Sequence, residues 1–387
     1  MDANQNFILE HQTAPIASIA LLLSKRPELD KDYILRQING LQKSKDKLPE
    51  WYATEGLQFP VGLSMEQCSS EETAKFKAQL VAADKIVDLT GGFGVDSYYL
   101  SQKAEKLTYI EQNIELFDLV MQNFACLSAN NIEGIATSAE AFLNSSTTHF
   151  DLAYIDPARR DAGKKVFLLE DCSPDIVGLQ SQILKIASKI LVKTSPLLDI
   201  KLALQSLKNV SKVYVIALKN ECKELLFLMD SVFTGIPEIS AVNLQKDGIQ
   251  VFNFNYNQEI AAQASYAAPS NYLYEPNAAI LKAGAFQSIA LHFGLTKVAP
   301  NSHLYSSDSL VEDFPGRCFH IQRQVPFDIK AFQKLKINKA NLTTRNFKLS
   351  VAELRKKLKL KDGGELYIFA TTLKDGKAML ILCEKVS

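Results

Sequence analysis

Apolar residues recur at helical spacing in the first eighty residues of the chain. Residues three and four apart lie on one face of a helix, so this spacing indicates amphipathic helices with a buried side. The clearest apolar sets are Ile19, Leu22 and Leu23, followed by Ile34, Ile38 and Leu41. Prolines at positions 49 and 60 interrupt the pattern. We therefore predict a helical N-terminal domain over residues 1–80.

Beyond residue 80, short runs rich in β-branched residues alternate with amphipathic segments. This alternation is typical of an α/β fold, with a mainly parallel sheet covered on both faces. Helices are expected at 114–129 and 175–187. The predicted strands are 85–89, 106–111, 132–137, 150–155, 189–193 and 212–218. We assign residues 81–260 to this Rossmann-like domain.

The pattern changes again toward the C-terminus. Runs at 239–244 and 249–256 flank a Lys246-Asp247-Gly248 turn and predict an antiparallel hairpin. After a polar linker, residues 271–324 with a helix at 278–293 predict a small α+β module. Residues 325–387 predict a second module, with a helix at 351–358 and strands at 366–371 and 378–384.

Composition narrows the class of protein. The 387 residues include 43 basic and 43 acidic side chains, which excludes a uniformly basic nucleic-acid binder. Six scattered cysteines without a CxxC pair or histidines at ligand spacing predict reduced thiols and no metal site. The apolar run at 16–23 is too short for a membrane span. We expect a cytoplasmic protein with no membrane partner.

The first predicted strand runs into a glycine-rich turn, Asp88-Leu89-Thr90-Gly91-Gly92-Phe93-Gly94. Glycines there let the backbone approach a ligand closely. A dinucleotide site would want a third glycine where Ser97 stands. The spacing of Asp88, Gly92 and Gly94 instead resembles the first motif of class I S-adenosylmethionine-dependent methyltransferases. The resemblance implies that the turn lies against the methionine part, with Asp88 near its ammonium group.

The next two strand ends extend this predicted cofactor site. Glu111 lies 23 residues beyond Asp88, where a carboxylate can accept both ribose hydroxyls. Ser138, Ala139 and Glu140 follow the third strand, at the position where such enzymes read adenine. The alternative reading is that these acids are solvated strand-end residues. We assign Asp88, Thr90, Gly91, Gly92, Phe93, Gly94, Glu111, Ser138, Ala139, Glu140 and Asp156 to the cofactor site.

The fourth strand ends in Asp156-Pro157-Ala158-Arg159-Arg160, which faces the crevice where an acceptor would bind. The segment resembles the D-P-P-R-x-G motif of RNA 5-methyluridine methyltransferases, but Ser195 stands near the position of their nucleophilic cysteine. Serine without an adjacent base is a poor nucleophile, so direct in-line transfer is favoured. We predict that Asp156 orients or deprotonates the acceptor and that Arg159 and Arg160 bind a substrate anion. A structural salt bridge is the alternative for the arginine pair, and Lys193 is a further candidate in the crevice.

The zero net charge conceals a basic segment. Residues 330–361 contain nine lysines and two arginines against Glu353, a net charge of +10, so the remainder carries −10. Phe332 and Phe347 are interleaved with them, as suits a surface that neutralises phosphates and stacks on unpaired bases. A solvated lysine-rich face is the alternative. The predicted RNA-binding residues are Lys336, Lys339, Arg345, Lys348, Arg355, Lys356 and Lys357.

Several separate segments resemble a bacterial family of class I methyltransferases with a C-terminal THUMP-like domain. They are 66–71, 88–96, 156–160, Tyr274-Glu275-Pro276-Asn277 and 361–364. The resemblance implies a class I methyltransferase sheet, a ferredoxin-like module at 271–324, a THUMP-like module at 325–387 and a structured RNA substrate, tRNA or rRNA. Two other hypotheses stay open: an RNA-binding or assembly factor with a non-catalytic methyltransferase fold, and a methyltransferase acting on a protein or small molecule.

Overall fold

The computed structural model describes residues 2–60, 62–159 and 169–386. Within this part of the chain, helices dominate the N-terminal 77 residues and then alternate with strands. The helices are α1 Ala3–His11, α2 Ile16–Leu23, α3 Lys31–Lys47, α4 Pro49–Ala53, α5 Gly62–Gln67, α6 Glu71–Lys77, α7 Val95–Ser101, α8 Ile114–Cys126, α9 Ala139–Ser145, α10 Ile176–Ile186, α11 Ile200–Ser206, α12 Tyr256–Ala261, α13 Ala278–Ala283, α14 Ser288–His292, α15 Ile329–Gln333 and α16 Val351–Leu358.

The strands follow the same chain order. They are β1 Lys85–Asp88, β2 Lys106–Glu111, β3 Ile132–Ala136, β4 Phe150–Ile155, β5 Ala158–Arg159, β6 Cys172–Ser173, β7 Ala187–Thr194, β8 Val210–Leu218, β9 Glu221–Asp230, β10 Glu238–Gln245, β11 Gly248–Phe254, β12 Tyr272–Pro276, β13 Thr296–Lys297, β14 Tyr305–Ser307, β15 Gly316–Pro326, β16 Asn341–Arg345, β17 Leu366–Thr372 and β18 Ala378–Lys385. The chain divides into two compact units, residues 1–211 with 225–235 and residues 212–224 with 236–387.

The first unit contains a sheet with the strand order β9-β7-β4-β1-β2-β3 among its described residues. The pairs from β7 to β3 are parallel, and β9 adds an antiparallel edge beside β7. The central strands are buried on both faces, as in β4, where only Asp151 is exposed. The carboxyl ends of parallel strands therefore meet at one edge, because Asp88 pairs with Tyr109 and Tyr154. This confirms the predicted α/β fold class.

Side-chain caps explain where several of these helices begin. Asn113 accepts a hydrogen bond from the backbone N–H of Leu116 at the start of α8, and Asp175 accepts one from Gly178 at the start of α10. Each cap satisfies an amide that the helix cannot pair internally. The N-terminal helices have their own apolar cluster, which is formed by Phe7, Ile19, Leu23, Leu29, Ile34 and Ile38.

The second unit contains β10 between parallel β8 and antiparallel β11, and a sheet with the order β13-β14-β12-β15-β18-β17-β16. The hairpin predicted at the Lys246-Asp247-Gly248 turn is confirmed, because Gln245 pairs with Gly248. The helix at 351–358 is also confirmed as α16, whose N-terminus carries a capping box from Ser350 and Glu353.

Two sequence predictions of local structure were wrong, and some strands were not predicted. The single helix expected at 278–293 is two helices, because Gly284 ends α13 in the left-handed conformation (φ +83°). Strand β9 was not predicted. Phe332, expected to stack on bases, is fully buried in an apolar cluster with Leu354 and Leu358, and Phe347 packs partly buried against the same cluster.

Candidate cofactor and acceptor site

The glycine-rich turn connects β1 to α7 and has little room for side chains. A Cβ atom on Gly91 would lie 2.1 Å from the ring of Tyr109, and one on Gly94 would lie 2.7 Å from Val120 and Phe124. Gly92 and Gly94 have φ angles of +54° and +78°, which favour glycine. The Tyr109 hydroxyl donates a 2.6 Å hydrogen bond to the carbonyl of Gly92 and fixes the turn from behind.

Asp88 lies beneath this turn and is 1% exposed. Its carboxylate accepts hydrogen bonds from the Thr90 amide (2.9 Å) and the Ser97 hydroxyl (2.6 Å). Burial raises the pKa of Asp88 to about 7, although both hydrogen bonds favour the charged form. In this position the carboxylate shapes the loop, and its predicted attraction for a cofactor ammonium stays a prediction.

The raised pKa of Asp88 predicts an unusual pH dependence of stability. Between the ordinary aspartate pKa near 4 and the folded value near 7, the folded chain holds a proton that the unfolded chain has lost. The free energy of unfolding should therefore fall by about 4 kcal/mol across this window and level off above it. Asp88→Asn keeps the side-chain shape without the titration. Urea unfolding from pH 4 to 8 should show the decline in the difference between wild type and this variant, and a flat difference would contradict it.

Glu111 ends the neighbouring strand and reaches the same turn. Its two carboxylate oxygens accept the amides of Gly92 (2.9 Å) and Asn113 (2.7 Å), and the residue is half-buried. Each oxygen retains a lone pair for a further donor. The structure thus brings the predicted ribose-binding carboxylate into contact with the predicted methionine-binding turn.

Four other predicted cofactor residues lie near the turn or at the start of α9. Ser138 caps α9 by accepting a hydrogen bond from the amide of Ala141, and Ala139 is buried. Glu140 is exposed in the first turn of that helix. The Phe93 ring is 3% exposed and packs edge-on against Trp51 at 4.9 Å. Phe93 therefore offers a ligand mainly its backbone.

Asp156 follows β4 at the same edge of the sheet. Its amide donates a 2.7 Å hydrogen bond to the Thr90 hydroxyl, which joins the end of β4 to the glycine turn. Its carboxylate forms an ion pair with Lys193 of β7, and the two side chains are 33% and 10% exposed. The Arg159 side chain and Arg160 lie outside the described residues, so their predicted roles stay predictions.

A second layer of polar side chains behind the turn was missed by the sequence reading. The ammonium of Lys77, at the end of α6, lies 3.2 Å from the Asp96 carboxylate. That carboxylate also accepts hydrogen bonds from Ser69 and Tyr154, each at 2.8 Å. Burial alone would raise the pKa of Asp96, but Lys77 and Lys193, together with both hydrogen bonds, lower it below its usual value. The N-terminal helices thereby support the start of α7.

These residues fit S-adenosylmethionine. Side chains at positions 91 and 94 would collide with Tyr109, Val120 and Phe124 behind the turn, whereas a Cβ atom on Gly92 would meet only the Thr90 carbonyl, at 3.7 Å, so the turn leaves room for a ligand at Gly92. The strand ends carry carboxylates, which suit the hydroxyl and ammonium groups of that cofactor. Among the described residues, no group of three or more His, Cys, Asp or Glu side chains is arranged to hold a metal ion. No described helix is long and apolar enough to cross a membrane.

The predicted RNA-binding residues belong to the second unit. All nine lysines between residues 330 and 361 are exposed. The two arginines differ from them, because Arg345 pairs with the buried Glu275 and Arg355 pairs with Asp362. Both guanidinium groups therefore form intramolecular ion pairs, and their contact with RNA stays a prediction.

Comparisons with known proteins identify the C-terminal modules and find methyltransferases among the similar sequences. A ferredoxin-like domain model matches residues 272–315, and a THUMP domain-like model matches residues 316–385. An uncharacterized S-adenosylmethionine-dependent methyltransferase of Mycobacterium tuberculosis is 20% identical over 317 residues, which are 81% of this chain and 84% of that protein. An uncharacterized RNA methyltransferase of Mycoplasma mobile is 25% identical over 166 residues, which are 41% of this chain and only 45% of that protein.

A solved structure extends the similarity to the whole chain. A crystal structure from Porphyromonas gingivalis W83, which carries the provisional name of a methyltransferase, superimposes with a TM-score of 0.91. The two sequences are 34% identical, and the alignment covers 100% of this chain and 98% of that one. With the glycine turn and strand-end carboxylates described above, this similarity establishes that the chain belongs to the class I S-adenosylmethionine-dependent methyltransferases with a C-terminal THUMP-like domain.

Proposed function

We propose that this methyltransferase transfers the methyl group of S-adenosylmethionine to a nitrogen or oxygen atom of structured RNA, a tRNA or rRNA, by direct in-line displacement. The observation that carries the proposal is the set of nine exposed lysines between residues 330 and 361, in the segment matched as THUMP domain-like. Glu353 is the single acidic residue in this stretch of the sequence. Exposed cations at this density neutralise phosphates and release counterions. The Mycoplasma mobile relative, which is named an RNA methyltransferase, supports the same substrate class.

The acceptor side supports transfer without a covalent enzyme intermediate. S-adenosylmethionine, when bound, supplies an electrophilic methyl group on its sulfonium. In this proposal Asp156 orients an acceptor N–H or O–H, or takes its proton, and its ion pair with Lys193 supports the proposal by fixing the carboxylate at the strand end. Ser195 follows β7, at the position where cysteine-dependent enzymes place their thiolate, so the chain offers no strong nucleophile there.

The proposed function can be tested in cells. RNA from a strain that lacks this protein should miss one methylated nucleoside that the parent strain contains, as detected by mass spectrometry of digested tRNA and rRNA. Re-expression of the wild-type chain should restore that nucleoside. Identical nucleoside profiles in the two strains would reject an RNA substrate and favour a protein or small-molecule acceptor.

The exposed lysines of α16 should contribute to RNA affinity without affecting the cofactor. Lys356→Gln with Lys357→Gln removes two cations that make no described ion pair. We expect RNA binding to weaken about tenfold at physiological salt, and the slope of log K against log salt to decrease by about 2. Fluorescence anisotropy with labelled tRNA measures both quantities.

The control for this experiment removes the same amount of charge at positions far from α16 in the sequence. Lys25→Gln with Lys31→Gln removes two exposed lysines from the N-terminal helical region. This variant should keep the wild-type affinity and salt slope. Equal weakening in both double variants would show that net charge alone determines binding and would contradict a specific role for α16.

A further inference from the structure

A groove of about 700 Å³ lies within the second unit. Its walls include the turn between Leu218 and Glu221, the β10–β11 turn and the beginning of β15. Asn277, the last residue of the Tyr274-Glu275-Pro276-Asn277 segment, also lines it. Neither the cofactor site nor the exposed lysines of α16 account for this groove.

The amide side chains of the groove are oriented by hydrogen bonds that use their oxygen atoms. The Gln250 side-chain oxygen accepts from the amides of Asn243, Gln245 and Asn277, each at 3.1 Å. The Asn220 side-chain oxygen accepts from the backbone amide of Ala278 at 2.8 Å. Among the described residues, the NH₂ groups of Asn220 and Gln250 have no hydrogen-bond acceptor. These two side chains therefore offer donors to a ligand.

The charges around the groove also favour a ligand that accepts hydrogen bonds. Lys219, Lys246 and Lys385 are exposed on its walls, and Arg317 is held there by Glu275, through a 2.8 Å hydrogen bond from Nε. Two acidic side chains, Asp247 and Glu312, also line the groove, so the three lysines alone exceed the acids by one charge and the paired Arg317 adds N–H donors. The combination of cations and N–H donors suits an anion that accepts several hydrogen bonds.

The turn that contributes Lys219 and Asn220 to the groove is a tight one. Both residues have positive φ angles, +51° and +65°. Two successive residues in this conformation are typical of the two-residue turn that joins adjacent antiparallel strands. The turn connects β8 to β9 and brings both side chains to the groove wall.

We infer that this groove binds a phosphodiester group of the RNA acceptor. A phosphate takes only donors and positive charge, which the NH₂ groups of Asn220 and Gln250 and the surrounding cations supply. The inference rests on the proposed function, since it takes RNA as the substrate. It assigns to the groove a contact with the RNA backbone, separate from the contacts of the lysines on α16.

Isosteric substitutions test this inference with little risk of unfolding. Asn220→Asp with Gln250→Glu replaces both NH₂ donors by charged acceptors and keeps the oxygen atoms that bind Ala278 and the three amides. We expect the full-length double variant to bind labelled tRNA about tenfold more weakly than the wild type. S-adenosylhomocysteine affinity, measured by calorimetry, should be unchanged.

The matched control is Asn253→Asp with Gln263→Glu, which adds the same charge at two exposed positions of the same unit outside the groove. The control should bind tRNA as the wild type does. Wild-type affinity in the groove variant, or equal weakening in both, would overturn the inference while leaving the proposed function intact. A wild-type protein that binds no RNA would instead reject the proposed function.

Calorimetric titration with inorganic phosphate separates a site for RNA from a site for a small anion. An RNA phosphodiester site predicts that phosphate competes only weakly with tRNA and that tRNA affinity depends on the groove. If the groove substitutions abolish phosphate binding but leave tRNA affinity unchanged, the groove is a small-anion site and the inference is wrong.

Discussion

Replacing Asp156 by asparagine should reduce methyl transfer about 100-fold or more, with a much smaller effect on cofactor binding. A positioned proton acceptor contributes about 10² to 10⁴ in rate, and asparagine cannot accept the proton. The Asp156 amide would still bond to Thr90, so the glycine turn should keep its shape. Single-turnover transfer of a labelled methyl group measures the rate, and calorimetry with S-adenosylhomocysteine measures the binding.

Lys193 provides the comparison for this prediction. Lys193→Met removes the ion pair but keeps the Asp156 carboxylate. It should slow the reaction less than Asp156→Asn, since the proton acceptor remains. If Asp156→Asn keeps more than about a tenth of the wild-type rate, Asp156 is not the proton acceptor and only positions the substrate.

Lys77→Met should destabilise the protein by about 3 to 5 kcal/mol, because it leaves the Asp96 carboxylate buried without its cation. The Lys77 side chain is 0% exposed and that of Asp96 is 11% exposed, so water cannot replace the lost partner well. Lys75→Met on the same helix is the control. Lys75 is 48% exposed in its pair with Glu71, and its loss should cost less than about 1 kcal/mol.

A double variant distinguishes lost charge pairing from lost packing. Asp96→Asn removes the orphaned charge and can still accept hydrogen bonds from Ser69 and Tyr154. Lys77→Met with Asp96→Asn should therefore be more stable than Lys77→Met alone in urea unfolding. If the double variant is no more stable than the single one, the ion pair is not what stabilises this region.

Because the pKa of Asp96 is lowered, the stabilisation by the Lys77–Asp96 pair should depend on pH. Its stabilisation should be complete above the unfolded pKa near 4 and should disappear as the pH falls through the lower folded value. In Lys77→Met this acid-side loss should be smaller, because without its cation the folded pKa of Asp96 moves up toward the unfolded value. The window lies below that of Asp88, whose raised pKa acts between about 4 and 7.

The main elements of the fold could be predicted because they depend on local signals. Alternating apolar runs identified the parallel strands, and the spacing from Asp88 to Glu111 placed two carboxylates at neighbouring strand ends. The hairpin at Lys246-Asp247-Gly248 followed from turn chemistry alone. Strands, turns and strand-end carboxylates that have a local sequence pattern can therefore be predicted from the sequence.

Features that depend on packing between distant segments were not predictable. Lys77 and Asp96 meet only because α6 packs against α7, and the sequence shows no pairing between them. Phe332 lies among lysines in the sequence, but it faces the core because its helix is amphipathic. Likewise, the orientation of Gln250 in the groove depends on amides from two β10 residues, Asn243 and Gln245, and from the distant Asn277.

We propose above all that the cofactor's methyl group reaches RNA at the strand end that carries Asp156. The most direct measurement incubates purified protein with S-adenosylmethionine carrying a labelled methyl group and RNA from a strain that lacks the protein. We predict that label enters the tRNA or rRNA fraction with wild-type protein and is lost with Asp156→Asn. Labelled RNA with both proteins, or unlabelled RNA with the wild type, would contradict the claim.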